Sequence, residues 1–185
     1  NGMLRPSAGS VVVDGRALAA LSAHELRLVR ARIGFIHQDL DLVPNLRVSQ
    51  NVIAGKLGRL SFFPSLRAML WPARVDVEQA HRILDRVGIA AKLFDRTDTL
   101  SGGEQQRVAI ARALYQEPTA LLADEPVSSV DPARARDTVS LLTSISRERG
   151  LTLVMSLHNL ELAREFFPRL VGLRDGRVLF DQPAE

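Results

Sequence analysis

The sequence predicts an α/β protein: a mostly parallel sheet flanked by helices, with a small antiparallel β element near the N-terminal end and an inserted α-helical lobe. Three observations carry this expectation. Short apolar runs, "RIGFIHQ", "ALLAD" and "LTLVMSL", lie far apart with helical segments between them, and apolar strands joined by helices mark a buried parallel sheet. Two segments repeat apolar residues at the helical period between start and stop signals. Finally, "VGLRDGRVLF" places Asp175-Gly176 between two apolar runs, and a two-residue Asp-Gly loop supplies the positive φ that a hairpin needs.

The elements follow in chain order. "SVVVDGRAL" reads as a strand over Ser10 to Val13 with Asp14-Gly15 as a turn, and "RIGFIHQ" is the next strand. Residues 48–99 are helical, broken by "GRLSFFPSLRAMLWP", and lack a good strand. They read as a lobe inserted between the second and third strands. Within it, "VDVEQAHRILDRVGI" carries Val77, Ala80, Ile83, Leu84 and Val87 at helical spacing, with Asp76 expected as N-cap and Gly88 as the stop. In "DPARARDTVSLLTSISRERG", Asp131 is the expected cap and Pro132 suits the first turn. Ala135, Val139, Leu142 and Ile145 make one face there, and Gly150 ends the helix. Three regions result: 1–47, 48–99 and 100–185.

Composition narrows the class. A chain of 185 residues with 46% hydrophobic residues fits one globular domain, or a core domain with a smaller lobe. A net charge of +3, from 24 basic and 21 acidic residues, is too small to point to nucleic acid. Cysteine is absent, which excludes disulfides and thiolate chemistry. The first ten residues hold no apolar core of signal-peptide length. No apolar run reaches the roughly 18 residues of a membrane span, so the chain is expected to be soluble or peripheral.

Two constellations carry chemistry. "ALLADEP" sets Asp124 and Glu125 at the C-terminal end of an apolar strand, where α/β sheets place their ligands. A single acid there reads as readily as a bland group, a solvated strand end or the cap of the next helix, as it does as a functional one. Two in a row, held from immediate helix by Pro126, suit a division of labour between a metal-orienting and a water-polarising carboxylate. The second constellation is "LSGGEQQRVAIARAL". Ser101 and Glu104 form a capping box, and Val108, Ala111 and Leu114 face the core. Neither accounts for Gly102 and Gly103, because glycine in a first helical turn costs up to about 1 kcal/mol relative to alanine. Adjacent glycines at a helix N-terminus allow a phosphate to approach bare backbone N–H groups.

Leu100-Ser101-Gly102-Gly103-Glu104-Gln105, followed by "QRVAIARAL" and "LLADEP", resembles the signature motif and Walker B motif of ATP-binding cassette (ABC) transporter ATPases. The resemblance covers essentially the whole chain and implies a P-loop NTPase-like fold, ATP and Mg²⁺ as ligands, and ATP hydrolysis. It implies that Gln38 is the Q-loop glutamine sensing Mg²⁺ and the membrane partner, Asp124 the Walker B aspartate, and Glu125 the catalytic glutamate. Ser129-Val130-Asp131 would be the D-loop and His158 the switch histidine at the γ-phosphate. Ser101, Gly102, Gly103 and Gln105 would contact nucleotide held by a second subunit in a head-to-tail dimer. The tail "GLRDGRVLFDQP" and the long lobe most resemble phosphonate-import ATPases. Expected partners are therefore transmembrane permease subunits and, indirectly, a substrate-binding protein, with the chain peripheral on the cytoplasmic face of the plasma membrane. Taken alone, Gln38 and His158 read as polar groups ending strands. Only their placement beside Asp124 turns them into site candidates.

The family's phosphate loop, G-x-x-x-x-G-K-[ST], does not occur in these residues, and Lys56 and Lys92 follow no glycine pattern. The opening "NGMLRPSAGSVVVDG" resembles the family segment directly after the phosphate-loop helix. The expectation is a fragment lacking that loop. The alternative is a non-catalytic or truncated ATPase that acts only as a binding module or is inactive.

Overall fold

The computed structural model describes residues 6–127 and 131–184; Ser129 and Val130 of the expected D-loop lie outside them. Strands β1 (Val12–Val13) and β2 (Arg16–Ala17) form a minimal antiparallel pair around Asp14-Gly15. The expected strand over Ser10 to Val13 is therefore shorter, with Ser10 and Val11 outside the ladder. Helix α1 (Ala23–Arg30) starts on a capping box between Ser22 and Glu25. Next comes β3 (Ile33–Ile36), then α2 (Val48–Ile53), α3 (Phe62–Leu70), α4 (Arg74–Arg86) and α5 (Gly102–Tyr115). The remaining elements are β4 (Ala120–Ala123), α6 (Pro132–Arg149), β5 (Thr152–Met155), α7 (Leu160–Phe166), β6 (Arg169–Arg174) and β7 (Arg177–Pro183).

The parallel sheet has the order β3-β4-β5, with β4 in the middle. Its register aligns Ile36, Ala123 and Met155, so the chain leaves all three strands at one edge of the sheet. β6 and β7 form the predicted hairpin, with Asp175 and Gly176 at φ 50° and 73°. The sheet and helices α2, α4 and α5 share one hydrophobic cluster, running from Val48, Val52, Ile83 and Leu84 through Val108 and Leu114 of α5 to Ile36 and Leu121. The predicted core faces of α4 and α6 are buried, with Val77 partly covered at the cluster's margin. Gly55 is required for the fit: a Cβ there would stand 2.2 Å from the Arg112 carbonyl oxygen.

One expected cap is corrected. Helix α4 begins two residues before Asp76, with Ala73 as N-cap. Asp76 instead accepts a hydrogen bond of 2.9 Å from the Tyr115 hydroxyl, and burial together with this bond pushes that phenol's pKa up. A fully enclosed tyrosine needs a partner for its hydroxyl, and that tertiary demand outweighs the local preference for an acidic cap. The other caps are as expected: Asp131 starts α6, and Gly88 and Gly150 follow the ends of α4 and α6 at φ 78° and 63°.

The two capping boxes respond to pH. Hydrogen bonds from Ser22, backbone before hydroxyl, hold the Glu25 carboxyl below its ordinary pKa. The Ser101 hydroxyl, then its backbone N–H, does the same for Glu104. A carboxyl depressed in the folded state binds more protons when unfolded. Its contribution is present above the unfolded pKa and is lost as pH falls through the folded value. We expect Glu104→Gln to flatten the acid limb of the melting-temperature profile. An unchanged limb would mean that this capping carboxylate does not contribute to acid stability.

Candidate functional site

The register of the sheet assembles the site. One residue beyond the aligned ends, Asp124 follows β4 and Ser156 follows β5. The Glu125 N–H donates to Ser156 Oγ at 2.8 Å, and Ser156 Oγ donates onward to Asp124 Oδ1 at 2.8 Å. His158 Nε2 lies 2.6 Å from Glu125 Oε1. Asp124, Glu125 and His158 thus form one cluster, as the sequence predicts, with Ser156 as the bridge. Glu125 sits at φ 44°, in the left-handed region that costs a non-glycine residue about 1–2 kcal/mol. Such strain persists where surrounding bonds fix it, often at functional sites. Here the bond to Ser156 anchors its backbone and the bond to His158 anchors its side chain.

Beside the cluster lies a cavity of about 540 Å³ lined by Glu125, Ser156, His158, Asn159, Pro132 and Arg136. Chemically, Glu125 can accept a proton from a water in that cavity, with the imidazole in position to share the bond. Asp124 is exposed, with Oδ1 turned to Ser156. Its hard oxygens fit Mg²⁺, which takes one or two carboxylates and completes its shell with phosphate and water oxygens.

Gln38 lies two residues past the end of β3, exposed, with its amide unengaged by any described residue. The loop after it turns through two left-handed residues, Leu40 and Asp41, at φ 61° and 47°. Arg112 of α5 donates to both of their carbonyl oxygens, 2.7 Å to Leu40. A second tie runs from the buried Gln106 amide to the Pro126 carbonyl, directly after Glu125. Helix α5 therefore grips the loops after both β3 and β4. The sequence reading missed Ser156, Gln106 and Arg112. Ser156 carried a signal, because aligning the three strand ends puts it opposite Asp124; the other two depend on how α5 packs against the loops after β3 and β4.

The candidates at the start of α5 stand apart from this cluster. The Glu104 N–H donates to Ser101 Oγ at 3.4 Å and the Ser101 N–H donates to Glu104 Oε2 at 2.8 Å, completing the expected capping box. A Cβ at Gly102 would meet nothing within 4 Å, and one at Gly103 would only reach Arg134 Nη1 at 4.0 Å. Nothing described within the chain requires glycine at Gly102. Gln105 donates to the Thr97 and Leu100 carbonyls at 3.3 and 3.2 Å, and Asp131 accepts from the Arg134 N–H at 3.1 Å as the cap of α6.

Fold and site together define an α/β protein with paired carboxylates and a histidine at the edge of a parallel sheet, and comparison with known proteins gives its family. The ABC transporter family model matches residues 1–128, and the chain belongs to that family. It is 50% identical over 181 residues to the phosphonates import ATP-binding protein PhnC of Pseudomonas fluorescens, covering 98% of this chain and 68% of that protein. The PhnC of Alcaligenes faecalis is 44% identical over 184 residues, covering 100% and 66%. The PhnC of Anaeromyxobacter dehalogenans is 50% identical, but the match spans only 36% of its length. The chain thus spans about two thirds of the first two and about a third of the last. Among solved structures, the dimeric cassette MJ0796 bound to ADP and Pi superposes with a TM-score of 0.80 at 30% identity, covering 100% of this chain and 77% of that one. The cbiO1 protein of Clostridium perfringens, part of the ABC transporter complex cbiONQ, gives 0.81 at 26%, covering 99% and 69%.

Proposed function

We propose that the chain supplies the signature, Walker B and switch parts of an ATP-hydrolysing subunit that powers import of a phosphonate or a related anion. The observation that carries this is the cluster of Asp124, Ser156, Glu125 and His158 at the sheet edge, in a chain half identical to phosphonate import ATP-binding proteins. In this reading Glu125 is the general base that takes a proton from the attacking water. His158 holds that carboxylate and the γ-phosphate side of the cavity through its two ring nitrogens. Ser156 fixes the angle between the two acids. Asp124, with Gln38 beyond β3, would hold Mg²⁺, which supplies charge neutralisation at the phosphates.

Ser101, Gly102 and Gly103, with Gln105 shaping the loop before them and Asp131 at the neighbouring helix start, form the face toward nucleotide on a second, head-to-tail subunit. Residues 48–99 are the lobe that meets transmembrane permease subunits, and 1–47 and 100–185 are the ATPase core. A substrate-binding protein would act on the permease from the far side of the membrane. The subunit then works peripherally at the cytoplasmic face.

A second reading is a module that contributes only its signature face. These 185 residues contain no G-x-x-x-x-G-K-[ST], hence no cradle of N–H groups and lysine for the β- and γ-phosphates. The chain by itself is expected to hydrolyse no ATP and to bind it weakly by calorimetry. Joined behind a segment carrying such a loop, it should bind ATP tightly and hydrolyse it. Tight binding by the chain alone would contradict the assignment of phosphate binding to that loop, and a joined protein that binds but does not hydrolyse would favour the module.

A further inference from the structure

Helix α3 is amphipathic in the reverse sense. A surface helix normally turns its apolar stripe to the core, yet the residues α3 leaves half-covered are Ser65, Ala68 and Met69. Its exposed stripe is Phe62, Leu66 and Leu70, four residues apart, with Phe63 and Trp71 alongside. Phe62 is 73% exposed, Phe63 79% and Trp71 73%. Single exposed hydrophobics are ordinary, but a contiguous set of this size marks an interaction surface.

The charges around it define the partner. Between Asp41 and Asp76 the chain has no acidic residue and five basic ones, Arg47, Lys56, Arg59, Arg67 and Arg74. Lys56 and Arg59 turn away, to Gln79 and Glu117 and to the Ala31 carbonyl. Arg67 lines the hollow beside Trp71, exposed and with no side-chain partner among the described residues. Arg74 pairs with Glu78 through Nε alone, its side chain 93% exposed. Asp76 lines the shallow hollow beside Trp71, but its Oδ1 is taken by Tyr115. Aromatic and leucine side chains on one exposed face, flanked by arginines, are the composition of helices that lie in a lipid interface. Trp favours the headgroup level, and arginines beside it draw the helix to anionic lipid.

We infer that the α3 face, Phe62, Phe63, Leu66, Leu70 and Trp71 with Arg67 and Arg74, binds the surface of an anionic lipid bilayer. The chain belongs to a family of membrane transporters, so such a surface is within reach. This contact would be additional to any made with permease subunits, and it is independent of the nucleotide reading because it is measured without nucleotide.

Trp71 is the only tryptophan in the sequence and reports directly from the patch. Titrating the 185-residue chain with phosphatidylglycerol vesicles should move its emission to shorter wavelength and bring the protein down with the vesicles. Phosphatidylcholine vesicles should do neither, and high salt should reverse both effects. Arg67→Gln, at an unpartnered exposed position, should weaken binding about fivefold. Phe62→Ser with Phe63→Ser should weaken it by roughly a hundredfold or more, with circular dichroism and melting temperature unchanged because neither ring is buried. Equal binding to neutral vesicles, or none to anionic ones, would overturn the inference. So would an emission shift that follows protein concentration without lipid, which would assign the face to a second copy of the chain.

Discussion

Replacing Glu125 with glutamine, in the chain joined behind a phosphate-loop segment, should slow ATP turnover by about 10²–10⁴-fold, the usual contribution of a positioned general base. The substitution keeps shape, volume and a hydrogen-bonding oxygen toward His158, while the neutral amide cannot take the proton of the attacking water. Nucleotide binding should be preserved, since the carboxylate itself does not hold ATP in this reading, and loss in kcat with little change in binding is the pattern of a group that acts in the transition state. The Glu125 backbone should stay in its left-handed turn, because the bond that anchors it comes from its N–H to Ser156 and survives the change. Near-normal turnover would show that another group polarises the water.

The second large effect is expected at Gly102, where the fold and the proposed dimer make opposite demands. Within the chain, aspartate at this position meets no described atom near its Cβ. It also places an acid in the first turn of α5, where the helix dipole favours it. Melting temperature should therefore hold or rise slightly. Against the nucleotide of an opposing subunit, the same side chain sets a carboxylate before a polyanion and adds bulk where backbone must approach closely. Gly102→Asp, in the chain joined behind a phosphate-loop segment and with no unmutated partner present, should abolish ATP-driven dimerisation and hydrolysis, because both nucleotides of the head-to-tail dimer then face the altered residue. Dimers forming as in the unmutated protein would leave Ser101 to Gly103 as a helix start and nothing more.

Much of the molecule was legible from the order of its residues, because the signals were local. The Ser101 and Glu104 capping box, the glycines after α4 and α6, and the Asp175-Gly176 hairpin turn each follow from the conformational limits of a few adjacent residues. The parallel strands were visible as short apolar runs. Asp124, Glu125 and His158 could be grouped because parallel strands deliver their ends to one edge. What only the tertiary structure decided are relations across long sequence separations. The bridge from Ser156 to Asp124 needed the register of β4 against β5, and the grip of Arg112 and Gln106 on two loops needed α5 seated between α2, α4 and the sheet. Asp76 satisfied every local rule for a helix cap, yet went to a buried tyrosine hydroxyl 39 residues away, because an unpaired buried hydroxyl costs more than a missing cap. The outward stripe of α3 was equally hidden. Helical periodicity tells which residues share a face, but the rest of the fold decides which face is covered.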